Sequence, residues 1–388
     1  MRNHPGEELR SALVVGAFDF RQLVEHRSEP LRIDLDRHDR RKALRRRIIV
    51  KLAPLHAPDG RLLVPARRLG YDALVIAIGS EANDFGTPGV QEHCFRIDSR
   101  RQADAFNQEV RIRMLQCLTR EQDLSIAIVG GGATGVELAA ELVQLTEAAV
   151  AYGAKGLASR IRITLIESGP RLLAAFPEDI SAATRARLGT LGIEVMTGTR
   201  VTAATADGFE LGGGGRVEAS LKVWAAGVKA PEFLAGLDGL ETTRGNQLVV
   251  QPSLQTTRDP AIYAVGDCAS YTPAGAERPL APTAQVAHQQ AQHLIRHLPG
   301  AVLRGQPIPD FVYRDFGALV SLADYDAFGS LGKFGLFKRT TIRGRLAQFS
   351  HAMLYRSHQA RLYGFWRGGL VWLVDRLNMR LRSSIRLD

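Results

Sequence analysis

The segment Ser125–Leu142, SIAIVGGGATGVELAAEL, constrains the fold of this chain more than any other. Ile126–Val129 is a continuous apolar run of the kind found in a buried parallel strand, and Gly130-x-Gly132-x-x-Gly135 follows it at once. Gly130 permits a tight turn, Gly132 lets a pyrophosphate approach the backbone, and Gly135 lets the next helix pack close to the strand. That helix opens with free N–H groups and the positive end of its dipole aimed at the pyrophosphate. Val136, Ala139, Ala140 and Val143 recur at helical spacing and form a small apolar face suited to lying on a sheet. A glycine pattern alone is a weak signal. Set between a strand and a helix, it predicts a dinucleotide site built on Gly130, Gly131, Gly132, Thr134 and Gly135.

Ile161–Glu167 (IRITLIE) reads as the second strand of that unit, with Glu167 at its end. Glu167 stands farther past Gly132 than the usual ~20 residues, and the loop around Tyr152–Ser159, with two glycines, accounts for the excess. A carboxylate there accepts from a ribose 2′-OH and repels a 2′-phosphate, which favours NAD(H) over NADP(H). A helix-capping or surface glutamate is the alternative, and the nearby Arg171 leaves strict selectivity open.

A chain of 388 residues is long enough for two or three domains with ample cores. Its 45% hydrophobic and 23% charged residues suit a soluble globular protein. The formal net charge of +10 points to a polyanionic partner, a membrane surface or nucleic acid. The basic residues are scattered and no recognition motif appears, which argues against nucleic acid. Cys94, Cys117 and Cys268 stand far apart, with neither a CxxC nor a metal-ligand spacing, so a reducing compartment and no metal site are expected. Neither a signal peptide nor an uninterrupted apolar run of about 18 residues is expected from the pattern.

Residues 1–47 are predicted to be irregular, with a dense basic run at Arg37–Arg47. Ile48–Leu52, a turn at Pro58-Asp59-Gly60, and Arg61–Val64 predict a β-hairpin. Tyr71–Gly79 (YDALVIAIG) is an apolar strand ending in glycine, followed by Ser80, and Ser99–Arg120 is a helix. Beyond the dinucleotide unit come Gly192–Met196, a turn at Gly212–Gly215, and a strand at Leu221–Trp224 leading into Ala225-Ala226-Gly227. Ala261–Val265 is again a strand, ending in Gly266-Asp267, and Ala281–Leu294 is a helix with a proline in its first turn.

In this combination the chain resembles the single-subunit, non-pumping type II NADH:quinone oxidoreductases, within the two-dinucleotide-binding-domain flavoproteins. The residues that carry the resemblance are 71–90, 126–142, 223–234, 246–270 and 281–291, with 313–332 and 354–377. Disulfide reductases share the fold but need a CxxC, which is absent. The resemblance implies an α/β chain with two doubly wound Rossmann-like domains, the first incomplete, and a C-terminal membrane-associating helical region. The implied bounds are 48–121 with 251–335 for FAD, 122–250 for NADH, and 336–388 for the membrane region. It implies FAD and NADH as cofactors, quinone and an anionic membrane surface as partners, and a peripheral position on the cytoplasmic face of the inner membrane; a homodimer stays open.

The resemblance also assigns roles. Gly130, Gly132, Gly135 and Glu167 hold NADH, with Ala226 and Gly227 bordering its nicotinamide half. Glu137 matches a glutamate near the nicotinamide–flavin contact that helps couple the half-reactions; the alternative is a solvated first-turn glutamate favoured by the helix dipole. Asp267 accepts from flavin hydroxyls, or is a buried structural aspartate. Gly79 and Ser80 approach the flavin, with Gly266 beside Asp267. Ala284, Gln285 and Gln289 match the family segment beside the flavin and the quinone entrance, Gln285 as a hydrogen-bonding residue and Gln289 equally readable as an ordinary exposed glutamine.

Members of this family carry a strand–GxGxxG–helix for the FAD pyrophosphate well ahead of the segment matching Tyr71–Gly79. Here Ala12–Ala17 (ALVVGA) offers a strand and one glycine, and FDFRQLVEH follows. The first domain is therefore expected to lack its N-terminal motif. The alternative to an active oxidoreductase is an N-terminally truncated, NADH-binding, membrane-associated protein without flavin or turnover. At the other end, Phe365–Leu387 mixes Trp366, Leu370, Trp372, Leu373 and Leu377 with Arg367, Arg376, Arg380 and Arg382. That mixture suits a lipid headgroup region, and anionic lipid would attract the basic excess; a core-packed helix with snorkelling arginines is the alternative.

Overall fold

The computed structural model describes residues 12–16, 48–52, 54–57, 59–323, 325–331 and 341–343 and, near the C-terminus, 364, 366–367, 369–370 and 373–374. In chain order the elements used below are β1 (Ala12–Gly16), β2 (Ile48–Leu52), β3 (Arg67–Tyr71), β4 (Ala73–Ala77), α1 (Arg100–Thr119), β5 (Leu124–Val129), α2 (Ala133–Ala151), β6 (Ile161–Ile166) and α3 (Glu178–Thr190). They continue with β7 (Ile193–Met196), β8 (Leu221–Trp224), β9 (Ile262–Ala264), α4 (Ala284–Arg304), β10 (Gly317–Leu322), β11 (Asp326–Leu331) and β12 (Thr341–Arg343).

The chain forms two compact units, residues 1–81 with 228–313 and residues 82–227 with 314–388. These joins differ from the expected ones at 121/122 and 250/251 for a packing reason. Phe106, Val110, Met114 and Cys117 of α1 enter the core of the second unit, as do Val320, Leu322 and Phe328. Leu234, Leu237, Leu240 and Leu248 enter the core of the first.

In the second unit four parallel strands lie in the order β7-β6-β5-β8. Val129 is in register with Ile166 on one side and Trp224 on the other. The chain steps outward from β5 and then returns to its opposite edge, so the strand order reverses beside β5. Ligands of open α/β sheets bind at the carboxyl ends of the strands at such a reversal. Ile126, Ile128, Ile163, Leu165, Leu221 and Val223 face Val136, Ala139 and Ala140 of α2 and Ile180 and Leu188 of α3. The alternate residues Ala127, Val129, Ile166 and Trp224 pack instead with Val201, Ala204 and Phe209. These last belong to a three-stranded antiparallel sheet, Val201–Thr205, Gly208–Leu211 and Arg216–Glu218. The doubly wound expectation is corrected to that extent: an antiparallel sheet, not a helical layer, covers the second face. Gly213 and Gly214 adopt positive φ of 99° and 87° and permit the tight turn that this sheet requires. Ser99 caps α1, its Oγ accepting from Gln102 N–H at 3.2 Å. Strands β10, β11 and β12 form a small antiparallel sheet.

In the first unit β1, β4 and β9 form a parallel sheet in that order. Ala12 pairs with Ala73, and Ile262 with Leu74. The irregular reading of 1–47 is therefore corrected at Ala12–Gly16, where a run of apolar and β-branched residues finds a partner in β4. The rest of 1–47, and most of 336–388, lies outside the described residues. The hairpin is longer than the sequence suggests: Ile48–Leu52 pairs with Arg67–Tyr71, and Leu55–His56 with Leu62–Val64. Leu55 opposite Val64 continues the register of the longer pairing, and the ladder shifts by one residue between Leu55 and His56 before the turn at Asp59-Gly60; Tyr71 closes the ribbon and β4 starts only at Ala73. Helix α4 is also longer than expected. Thr283 Oγ1 caps it by accepting from Val286 N–H at 3.3 Å, which puts Pro282 ahead of the cap rather than in the first turn. The helix then passes Leu294 and ends at Gly305, in a left-handed conformation at φ 68°.

Candidate functional site

Within the second unit the glycine loop joins β5 to α2 at the strand-order reversal. Gly130 has φ 119°, and a Cβ there would lie 2.5 Å from the Ala225 carbonyl oxygen. A Cβ on Gly131 would lie 2.6 Å from Leu172 Cδ2, and one on Gly135 would overlap the Gly130 carbonyl oxygen. These three glycines serve the chain's own close packing. Gly132 differs: nothing lies within 4 Å of its absent Cβ, and it is the N-cap of α2. A bare backbone at a helix N-terminus is what a pyrophosphate requires, so the loop fits that group. Thr134 is exposed in the first turn.

Glu167 follows β6 directly. Its Oε2 accepts from Gly131 N–H at 2.6 Å, and its Oε1 from Gly169 N–H at 2.5 Å and Ser168 Oγ at 3.2 Å. The half-buried carboxylate is thus neither a helix cap nor a freely solvated group; it braces the glycine loop and stands at its rim. Arg171 directs its guanidinium at the carbonyls of Leu173, Ala174 and Phe176, at 3.3, 2.8 and 2.9 Å. Those bonds commit it to its own loop.

Ala226 and Gly227 follow β8. Ala226 N would lie 2.8 Å from a Cβ on Gly130, so the two strand ends adjoin. Gly227 adopts φ 72°, and Phe85 Cζ lies 3.0 Å from where its Cβ would be. Glu137, just past the first turn of α2, is half-buried and accepts from Ser321 N–H of β10 at 3.0 Å. The solvated-glutamate alternative does not describe it.

Within the first unit β4 and β9 are neighbours, and both end in a left-handed glycine, Gly79 at φ 73° and Gly266 at φ 75°. Ser80 Oγ donates to Asp267 Oδ2 at 2.8 Å, which brings these two expected residues together. Asp267 is half-buried on the short 3-10 turn Gly266–Cys268, and its carbonyl accepts from Gln247 Nε2 at 3.1 Å. A held carboxylate beside two left-handed glycine turns fits the hydroxyl-bearing part of a flavin nucleotide. On α4, Ala284 is exposed, and Gln285 and Gln289 are half-buried.

Sequence reasoning missed Gln290, whose Oε1 accepts from Gly266 N–H at 2.7 Å. A signal existed, because Val286, Gln290, Leu294 and Leu298 recur every four residues and form the buried stripe of α4. Gln247 carried no comparable signal.

Burial pushes the Cys94 thiol up to about 12 and the Cys268 thiol up to about 11, and it raises Cys117 as well. All three are free and held protonated, so none offers a thiolate for disulfide chemistry. Among the described residues no helix is long and apolar enough to cross a membrane. Trp366, Leu370, Leu373 and Val374 lie on helical turns at a spacing that shares one face, and all four are exposed, Trp366 by 85%.

Residues 38–291 match the family described as pyridine nucleotide-disulphide oxidoreductase, which defines the class of the chain. It is 43% identical over 357 residues to the type II NADH:quinone oxidoreductase of Haemophilus influenzae, covering 87% of this chain and 80% of that protein. It is 31% identical to the enzyme of the same name from Staphylococcus saprophyticus, covering 67% of this chain and 65% of that protein. The chain belongs to the type II NADH:quinone oxidoreductases. Its fold is also that of NDH2 from Plasmodium falciparum, solved in complex with NADH, with a TM-score of 0.72 at 19% identity over 86% of this chain and 81% of that one.

Proposed function

We propose that this protein oxidises NADH and reduces a quinone, using FAD. The observation that carries the proposal is that each compact unit ends a parallel sheet in glycine turns with a held carboxylate beside them, Glu167 in one and Asp267 in the other. FAD held there would supply the acceptor for the NADH hydride and the two-electron donor for the quinone.

Gly130, Gly131, Gly132, Thr134 and Gly135 would hold the NADH pyrophosphate, with Glu167 accepting from the adenosine ribose. Arg171, committed to three carbonyls, leaves the rim to that carboxylate and so supports NADH over NADPH. Ala226 and Gly227 would border the nicotinamide half. Gly79, Ser80, Gly266 and Asp267 would hold FAD, with Asp267 accepting from its hydroxyls. Glu137 and Gln285 are the proposed catalytic residues, and Ala284 and Gln289 complete the segment beside the flavin and the quinone. The face carrying Trp366 and Leu370 is proposed to rest on an anionic membrane surface, peripherally and on the cytoplasmic side. A truncated protein without flavin is the less favoured reading, since the likeness to the Haemophilus influenzae enzyme extends over 87% of the chain.

The test is flavin uptake and quinone reduction by the purified full chain. FAD-dependent oxidation of NADH by a water-soluble quinone analogue is expected. Failure to bind FAD at all would reject the proposal.

A further inference from the structure

Gln290 stands out in α4 because it is 1% exposed within a stripe otherwise made of Val286, Leu294 and Leu298. A buried carboxamide is costly unless it is hydrogen-bonded, and its partner is specific. The ladder between β9 and β4 closes with Val265 N–H donating to the Ile76 carbonyl at 3.0 Å. Gly266 then turns away into the left-handed region, and its N–H has no strand left to bond. Gln290 Oε1 accepts that N–H at 2.7 Å. One helical turn earlier, Ala287 closes on the same residue, with its Cβ 3.3 Å from the place a Gly266 side chain would take. Two neighbouring positions of one helix therefore grip one glycine, and the next residue is Asp267.

We infer that Gln290 is a positioning residue for Asp267. It fixes the peptide plane between Val265 and Gly266 and so sets the direction in which Asp267 leaves the strand. The aspartate is then held from two further sides, by Ser80 Oγ at its carboxylate and Gln247 Nε2 at its carbonyl. The same bond locks the axial register of α4 against this turn, and hence the placing of Gln285 and Gln289, which lie on the same helix shortly before Gln290. This inference rests on the flavin reading of Asp267 given above.

The test compares Gln290→Met, which keeps length and helix propensity but removes the acceptor, with Gln290→Glu, which keeps an oxygen in place. Leu294→Ala on the same stripe is the packing control. Deflavinated full-length protein is titrated with FAD and the loss of flavin fluorescence is followed, with thermal unfolding of the apoprotein measured in parallel. Gln290→Met should raise the FAD Kd about tenfold, the equivalent of about 1.4 kcal/mol. Gln290→Glu should stay within about threefold of the parent, and Leu294→Ala should lower the unfolding midpoint without moving the FAD Kd. NADH affinity should be unchanged in all three. A folded Gln290→Met protein with the parental FAD Kd would overturn the inference. Hydrogen exchange at Gly266 in the unmodified protein decides it without any variant: a protected amide is expected, and free exchange overturns it. A parent chain that takes up no FAD would instead reject the flavin reading itself.

Discussion

Gly132 and Gly135 occur in one motif but should respond in opposite ways to the same substitution. Gly132 sits at φ −75° and ψ −177°, an extended conformation open to any residue, and faces no atom within 4 Å. In Gly132→Ala the chain itself has nothing to clash with. Reduced freedom of the unfolded chain stabilises by about 0.4–1 kcal/mol, and a poorer N-cap offsets a similar amount. Folding stability should stay within about 1 kcal/mol of the parent. The added methyl instead occupies the space proposed for the pyrophosphate. Losing one charge-assisted hydrogen bond costs about 1.5–3 kcal/mol, which corresponds to roughly a 10- to 100-fold rise in the NADH Kd. Gly135→Ala drives its methyl into the Gly130 carbonyl, and overpacking of that kind costs about 1–3 kcal/mol of stability. Urea unfolding and an NADH titration of both variants separate the two effects. A Gly132→Ala protein that folds normally and binds NADH like the parent would refute the placing of the pyrophosphate at this loop.

Glu167→Ala should raise the NADH Kd about tenfold, as expected for losing one hydrogen bond to a charged group, and narrow the preference for NADH over NADPH; titration with both nucleotides checks this. Ser99→Ala, which removes the cap of α1, should cost about 1 kcal/mol in chemical denaturation and leave FAD and NADH affinities unchanged. With the Cys94 thiol at about 12 against an ordinary 9.0, labelling of folded protein by a thiol reagent at pH 8 should be about a thousandfold slower than in denaturant. The sign for stability follows from the same shift. Between 9.0 and about 12 the folded state holds a proton the unfolded state has released, so stability falls as pH rises through that window.

The dinucleotide unit was legible because local chemistry dictates it. An apolar run, three glycines at fixed spacing and a small-residue helix have few ways to fold, and Glu167 emerges at the strand end next to them. Ser80 and Asp267 were legible as two strand ends, although the 2.8 Å bond between them joins residues far apart in the chain. Long-range pairing was less readable. Nothing local in Ile48–Leu52 distinguishes Arg67–Tyr71 from Arg61–Val64 as its partner, since both follow the same turn. The burial of Gln290 was readable from the four-residue stripe it shares with Val286, Leu294 and Leu298, but its role depends on the acceptor requirement of Gly266, which lies far away in the chain. The unit bounds depend on which core α1 enters, and its periodicity names a buried face without naming the sheet it packs on.

The most direct test of the central claim is a visible absorption spectrum of the purified full-length chain supplied with FAD, followed through additions of NADH and then a quinone analogue. A bound flavin band that NADH bleaches and the quinone restores is the predicted result. A chain that retains no flavin, or whose NADH-bleached flavin is not reoxidised by quinone, would contradict it.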